Sequence, residues 1–248
     1  MFSELLAEGA SVPVEGWDFS WFEGRATEER PPWGYSRLLA QRMATASAAL
    51  DIQTGGGEVL AQIPHPPPVL VATESWIPNL ETARRNLARV GARVVAVDDD
   101  ADLPFPADKF DLVVSRHPVE TRWDEVARVL APDGTFLSQQ VGAGSVRELT
   151  DAMMGPQEVS QDRSPRFAVA DAEAAGLEVI DLRAAELRME FYDVAAVVVF
   201  LRKVIWIVPG FTVDRYRLQL AELHQRIQAR GPFIAHAQRF LIEARQPA

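Results

Sequence analysis

A regular alternation of short apolar runs with segments of helical period is the feature that most constrains this fold. Each run is continuous and only a few residues long, which is typical of strands buried on both faces of a parallel sheet. The runs that we expect to be strands are residues 49–52, 69–72, 93–97, 110–115 and 135–141.

Segments between these runs have the spacing of amphipathic helices. Residues 79–90 place Leu80, Ala83 and Leu87 on one stripe and stop at Gly91, a good residue for a helix end. Residues 123–130 have a similar stripe and end in a Pro-Asp-Gly turn. Repeated strand-helix units predict a doubly wound α/β sheet, because right-handed crossovers leave few other topologies.

Both ends of the chain depart from this rhythm. The first 47 residues contain no strand pattern, and residues 35–43 have helical spacing, so we predict an N-terminal helical cap over 1–47. The last third predicts a helix over 168–175, a strand over 177–182 and a final strand over 233–243. The domain predicted over 48–248 therefore includes a helical insertion at about 193–230.

Charge and composition narrow the classes of partner. The 248 residues carry a net charge of −10, with no cysteine, and an acidic average field repels nucleic acid and anionic bilayers. The N-terminus is acidic, and the longest apolar run, 194–201, is too short to cross a bilayer. We expect a cytoplasmic monomer or homodimer that acts on a small molecule, with no nucleic-acid or membrane partner and no metal, since no histidine and acid spacing predicts a metal site.

Three consecutive glycines follow the first strand, in the stretch Asp51-Ile52-Gln53-Thr54-Gly55-Gly56-Gly57. A strand that turns through glycines into a helix is where open α/β sheets bind ligands, because the backbone there can approach a ligand closely. We therefore expect a helix after the glycines and a ligand beside them. The dinucleotide fingerprint is incomplete, since Leu60 stands where its third glycine belongs.

The glycine stretch is similar to the first motif of class I S-adenosylmethionine-dependent methyltransferases, of the ubiquinone/menaquinone-biosynthesis-like small-molecule superfamily. Further stretches resemble the family's later motifs in the right order, at residues 69–74, 98–105, 110–117 and 128–136. The resemblance covers about residues 48–141 and implies a Rossmann-like seven-stranded sheet whose last strand is antiparallel.

The resemblance also implies a set of cofactor-binding residues. A carboxylate at Glu74 would hold the ribose hydroxyls, and Asp99, with Asp98 next, would accept the adenine amino group. These acids suit the net positive charge of S-adenosylmethionine. The full set is Asp51, Gln53, Thr54, Gly55, Gly56, Gly57, Glu74, Ser75, Asp98, Asp99, Asp100, Ser115 and Arg116.

Gln53 departs from the family, which has its first glycine there. Either this position does not need a positive φ in this chain, or the side-chain amide makes a polar contact near the methionine end of the cofactor.

His117, which follows the fourth strand, is the candidate general base, because its unperturbed pKa of about 6.5 suits proton transfer. Gln139 and Gln140 alternate along the fifth strand, so at most one of them faces a pocket on a given side. Aromatic residues in the cap and insertion predict a planar or apolar acceptor, although core packing explains them nearly as well. The candidate substrate contacts are Trp21, Trp33, Tyr35, Gln140, Tyr192 and Trp206.

The resemblance implies an enzyme that moves a methyl group from S-adenosylmethionine to a small organic acceptor, with oxygen the expected accepting atom, and releases S-adenosylhomocysteine. Two alternatives stay open: a noncatalytic cofactor-binding or regulatory protein on the same fold, and, disfavoured by charge, an RNA or protein methyltransferase.

Overall fold

A computed structural model describes residues 1–14 and 19–248. Its chain forms two compact units. The first consists of residues 1–30, 143–160 and 186–238, and the second of residues 31–142, 161–185 and 239–248. The predicted boundary between residues 47 and 48 stays a prediction, and residues 15–18 of the predicted cap lie outside the described residues.

The described strands are β1 (Ala26–Glu28), β2 (Ala48–Ile52), β3 (Val69–Glu74), β4 (Arg93–Ala96), β5 (Phe110–Arg116), β6 (Leu130–Val141), β7 (Glu178–Phe191) and β8 (Phe233–Arg245). They form one mixed sheet in the order β1-β7-β8-β6-β5-β2-β3-β4. Strands β2 to β6 pair in parallel, whereas β8 is antiparallel to β6, with Val141 opposite Arg239 and Thr135 opposite Arg245.

The α-helices lie between these strands and before the first of them. They are α1 (Phe2–Ser11), α2 (Tyr35–Met43), α3 (Ile77–Leu87), α4 (Trp123–Val129), α5 (Arg147–Met154), α6 (Pro165–Ala174), α7 (Val194–Lys203) and α8 (Arg217–Arg230). The predicted α/β class, the antiparallel last strand and the helical insertion are confirmed.

The second unit packs a core against each face of its strands. Successive residues of a strand point to opposite faces, so Leu112 and Val114 join one core while Val113 joins the other. Helices α2 and α3 supply the first core, and α4 and α6 supply the second. This arrangement buries both faces, as the continuous apolar runs predict, and leaves the carboxyl ends of the parallel strands for a site.

The sheet formed by residues 1–14 and 19–248 has eight strands, so the predicted number of seven was wrong. The additional strand is β1, which pairs antiparallel with β7 through Ala26 opposite Phe191. Three residues are too few to show an alternating pattern, which is why the first 47 residues were expected to contain no strand.

An α-helix was expected directly after the glycines, but the structure describes residues 55–68 without one. The chain instead makes a single 3₁₀ turn at Leu60–Gln62 and continues through Pro64, Pro66, Pro67 and Pro68 to β3. Proline lacks the backbone N–H that a helix interior needs, so this connector cannot form several turns of α-helix. The prediction gave more weight to the glycine motif than to the prolines.

The first unit is mainly helical. Every residue of α7 from Val194 to Leu201 is buried, which is typical of a helix packed on all sides. The Arg202 guanidinium donates to the carbonyls of Gly9 and Val12 at the end of α1, at 2.6 and 2.8 Å. These bonds satisfy backbone acceptors that a helix end leaves open. Within residues 1–14 and 19–248, no helix has both the length and the apolar character needed to cross a membrane.

Candidate active site

The glycine loop is held against the end of β3 by hydrogen bonds. The Thr54 amide donates to the Thr73 carbonyl at 2.9 Å, and the Gly55 amide donates to Glu74 Oε2 at 2.7 Å. Gly55 and Gly57 have φ of 65° and 74°, a region that glycine adopts without steric cost. The loop thus turns sharply at the carboxyl edge of the sheet.

Gln53 adopts the left-handed backbone conformation as well, with φ of 56°. The position therefore does require a positive φ, and the first of the two predicted explanations is wrong. Its side-chain amide spans to the loop after β5: Nε2 donates to the Glu120 carbonyl at 2.8 Å, and Oε1 accepts from the Val119 amide at 2.6 Å. This pair of contacts, the Gln53 bridge, ties the end of β2 to residues 119 and 120.

Two acids at the strand ends are buried. Glu74 accepts from the Gly55, Ser75 and Trp76 amides, which occupies three of the roughly four acceptor sites of a carboxylate. Burial raises the Glu74 pKa, and the charge of Asp99 adds to the effect. Burial also raises the pKa of Asp51 to about 7, while the hydrogen bond from the Thr54 hydroxyl opposes the shift.

A pocket lies beside these acids and within the second unit. Its unfilled space, counted out to the solvent opening, is about 450 Å³. Asp98, Asp99 and Glu120 line it together with one cation, Arg122. Arg122 is paired with Asp102 and Asp124, so the lining favours a cationic ligand.

The pocket brings together only part of the predicted cofactor set. Gln53, Asp98, Asp99 and Ser115 line it. Predicted residues outside the lining are Asp51, Thr54, Gly55, Gly56, Gly57, Glu74, Ser75, Asp100 and Arg116. Their cofactor roles stay predictions.

Several lining residues that the sequence analysis did not select come from two segments. One is the loop after β5, with Pro118, Glu120, Thr121 and Arg122. The other supplies Leu103, in the Leu-Pro-Phe stretch that carried the resemblance. The motif could have indicated Leu103, whereas the loop has no pattern that distinguishes it.

His117 is joined to two residues that are distant in the sequence. The Trp33 indole donates to Gln139 Oε1 at 2.8 Å, and Gln139 Nε2 lies 2.9 Å from His117 Nε2. Burial lowers the His117 pKa well below its ordinary value, with the charges of Arg116 and Arg239 adding to the shift. The imidazole is therefore neutral at pH 7. Its role as general base stays a prediction.

The remaining substrate candidates lie in both units. In the second unit, the buried Tyr35 hydroxyl donates to the Ser115 carbonyl at 3.2 Å, and Gln140 Nε2 donates to Thr121 Oγ1 at 3.2 Å. In the first unit, Trp21 packs under the Arg25 guanidinium, and Tyr192 and Trp206 are exposed. Contact of these residues with an acceptor stays a prediction. No group of three or more potential metal-ligating side chains occurs in the described part of the chain.

An open, mostly parallel sheet with a glycine turn and an acidic pocket at its carboxyl edge defines an α/β protein that binds a small ligand at a strand end. A family model described as a methyltransferase domain matches residues 50–138. Malonyl-[acyl-carrier protein] O-methyltransferase of Geobacter sulfurreducens is 31% identical over 186 residues, which cover 68% of each chain. The chain belongs to the class I S-adenosylmethionine-dependent methyltransferases.

Solved structures share the fold. The YcgJ protein from Bacillus subtilis aligns with a TM-score of 0.59 and 22% identity, over 86% of this chain and 98% of the other. The [4+2]-cyclase SpnF aligns with a TM-score of 0.53 and 18% identity, over 99% of this chain and 93% of the other. These alignments show the fold alone, since similar folds support different reactions.

Proposed function

We propose that this protein transfers a methyl group from S-adenosylmethionine to an oxygen of a small organic acceptor and releases S-adenosylhomocysteine. The observation that carries the proposal is the acidic pocket beside the glycine loop, in a chain of this family. The curated relative is an O-methyltransferase by name, which supports oxygen as the accepting atom.

The acidic side chains of the pocket fit the charge of the cofactor. S-adenosylmethionine carries a sulfonium and an ammonium against one carboxylate, and the pocket offers Asp98, Asp99 and Glu120 to its net positive charge. Asp99 is the proposed acceptor for the adenine amino group, and Glu74 retains acceptor capacity for a ribose hydroxyl. When bound, the cofactor supplies an electrophilic methyl carbon, and the chain positions the two reactants and excludes water.

Calorimetry with S-adenosylmethionine and S-adenosylhomocysteine tests the binding step. We expect Asp99→Asn to weaken binding by about tenfold, a loss of about 1.4 kcal/mol, because one acceptor and one charge are lost. Asp171→Asn on the exposed side of α6 is the matched control and should bind as the wild type does. Absence of binding to the wild-type protein would refute the proposed function.

S-adenosylhomocysteine release against a panel of metabolites tests catalysis. His117→Ala should lower turnover while cofactor binding is kept, whether the ring acts as a base or as a hydrogen-bond donor to the acceptor. An unchanged kcat would remove His117 from the reaction.

A noncatalytic cofactor-binding protein is the second candidate. The replacement of a motif glycine by Gln53 favours keeping it. Binding without product release over the whole panel would support this candidate. A salt-dependent mobility shift with RNA would instead support the RNA methyltransferase alternative.

A cytoplasmic location and a monomeric or homodimeric state complete the proposed function. Size-exclusion chromatography tests the oligomeric state.

A further inference from the structure

The connection between β4 and β5 carries two of the acids that line the pocket, Asp98 and Asp99. It runs over residues 97–109, which the structure describes without a helix or a strand. Irregular segments of this length are uncommon in compact domains and are usually functional. Because such a segment has no ladder of backbone hydrogen bonds, contacts from a neighbouring element must fix where these two carboxylates lie.

The start of α4 holds the acidic part of this connection. Arg122, directly before α4, donates to the Asp100 carbonyl, and its Nη2 donates to Asp102 Oδ1 at 3.2 Å. Asp124 holds the same guanidinium from the first turn of α4, with Oδ2 at 3.0 Å from Nη2. Guanidinium N–H groups have fixed directions, so this set of contacts, the Arg122 clamp, fixes the backbone beside Asp99.

A second set of contacts from α4 anchors the following part of the connection. Glu125 is buried, and its Oε2 accepts from the Leu103 amide at 2.6 Å. Arg128 donates to the carbonyls of Leu103 and Phe105 at 2.9 and 2.8 Å. These contacts attach the connection to α4 without touching its acids, so the Arg122 clamp alone acts on the acidic part from this helix.

The Asp99 side chain is available to a ligand because no protein group uses it. Its carboxylate accepts no hydrogen bond from any residue in the ranges 1–14 and 19–248. The direction of such a carboxylate depends on the backbone that carries it, and the Arg122 clamp holds this backbone at the next residue, Asp100. The clamp therefore acts on a ligand contact that a different residue makes.

We propose that Arg122 is a positioning residue, which holds Asp99 toward the adenine amino group of the cofactor and so makes the pocket selective for an aminopurine. This inference rests on the proposed function and assigns a specificity-determining residue to the same site. Repulsion of the positively charged cofactor is the other effect that a cation in the pocket has. The two effects have opposite signs, because loss of Arg122 weakens binding if it positions Asp99 and strengthens binding if it only repels.

Arg122 can be replaced without loss of the fold. Its partner carboxylates are largely exposed, Asp102 by 83% and Asp124 by 67%, and ion pairs between exposed groups contribute little to stability. We expect Arg122→Gln to lower the Tm by less than about 4 °C in scanning fluorimetry. Ligand binding can therefore be measured on the folded full chain.

Calorimetry with two ligands tests the positioning role. One ligand is S-adenosylhomocysteine, and the other is its analogue with unsubstituted purine in place of adenine, which lacks the amino group. We expect the wild type to prefer S-adenosylhomocysteine by about tenfold, and Arg122→Gln to reduce this preference to less than about threefold. General loosening of the fold would weaken binding of both ligands equally and leave the preference unchanged. Arg93→Gln, at the exposed start of β4, removes the same charge and should keep the wild-type preference.

Asp124→Asn separates position from charge. It makes the site one charge more positive, whereas Arg122→Gln makes it one charge more negative, but both variants release the Arg122 clamp. A preference that falls in both variants supports the inference. A preference that stays at the wild-type value in either variant, or that rises in one, overturns it, and so does a wild type that binds the two ligands equally. Failure of the wild type to bind S-adenosylhomocysteine would instead refute the proposed function itself.

Discussion

At the scale of single residues, Gln53 combines a backbone conformation that favours glycine with a side chain that makes two hydrogen bonds. A non-glycine residue at φ of 56° carries a steric cost of about 1 kcal/mol, and a typical hydrogen bond contributes about 1 kcal/mol. The Gln53 bridge therefore offsets the strain that its own residue introduces.

Substitutions at Gln53 separate these two effects. Gln53→Gly loses the bridge but relieves the backbone, so we expect stability within about 1 kcal/mol of the wild type and measurable cofactor binding by calorimetry. Gln53→Ala loses the bridge and keeps the strain, so it should be less stable than Gln53→Gly by about 1 kcal/mol in denaturant unfolding. Equal stability of the two variants would contradict the left-handed conformation, and a glycine variant that binds no cofactor would show that the side chain is essential.

Asp51 should make stability depend on pH. Its pKa is near 3.8 ordinarily and about 7 in the folded chain, so between these values the folded state holds a proton that the unfolded state has released. Raising the pH through this window therefore destabilises the fold. Asp51→Asn has no such titration, and its free energy of unfolding relative to wild type should rise by roughly 2 kcal/mol between pH 5 and pH 8. Urea unfolding at the two pH values measures the difference, and a pH-independent difference would refute the raised pKa.

Some residues of the candidate site could be predicted from the sequence, and others could not. Gln53, Asp98, Asp99 and Ser115 were selectable because they stand at motif positions beside strand ends. The hydrogen-bond network of His117 could not be predicted in this way. Gln139 is 22 residues from His117 in the sequence, and Trp33 is 106 residues from Gln139. Such side-chain contacts depend on strand register and helix placement, which no local pattern specifies.

At the scale of elements, Gly57 shows why the glycine loop has its composition. Besides its φ of 74°, a Cβ at Gly57 would lie 2.8 Å from Leu87 Cγ in α3. Leu87 is fully buried, so it cannot move without disturbing the core. The glycine loop can therefore pack closely against α3 because Gly57 has no side chain.

Gly57→Ala and Gly91→Ala form a matched pair. Gly91 has a similar φ of 69°, but nothing lies within 4 Å of its Cβ position. We expect the Gly91 variant to lose about 1 kcal/mol from backbone strain alone, and the Gly57 variant to lose a further 1–3 kcal/mol, roughly, from overpacking. Denaturant unfolding measures both, and equal losses would mean that α3 yields easily at Leu87.

Elements with a clear apolar run or stripe were predictable from the sequence. Strands β2 to β6 lie within a few residues of their predicted positions, because burial on both faces leaves a continuous apolar signature. Helices α1 and α5, of 10 and 8 residues, were missed, although α2 and α4, of 9 and 7 residues, were predicted from their spacing. The connector after the glycines was mispredicted because family resemblance favoured a helix that its prolines do not allow.

At the scale of the whole molecule, cofactor binding should appear as stabilisation. A ligand present at 100 times its Kd adds about 2.7 kcal/mol to the free energy of unfolding. For a chain of this size the corresponding rise in Tm is about 5–10 °C. Differential scanning fluorimetry with S-adenosylhomocysteine measures the rise, with adenosine alone as a control that should give a smaller one. No rise at saturating S-adenosylhomocysteine would contradict the proposed site.

The order of strands has a further consequence for behaviour in concentrated solution. Strands at the rim of a sheet expose backbone groups that can pair with another chain and start aggregation. Here the rim positions belong to β1 and β4, of three and four residues, the shortest strands that the structure describes. Long strands such as β6 and β8 lie inside, so little open backbone is offered for edge-to-edge growth.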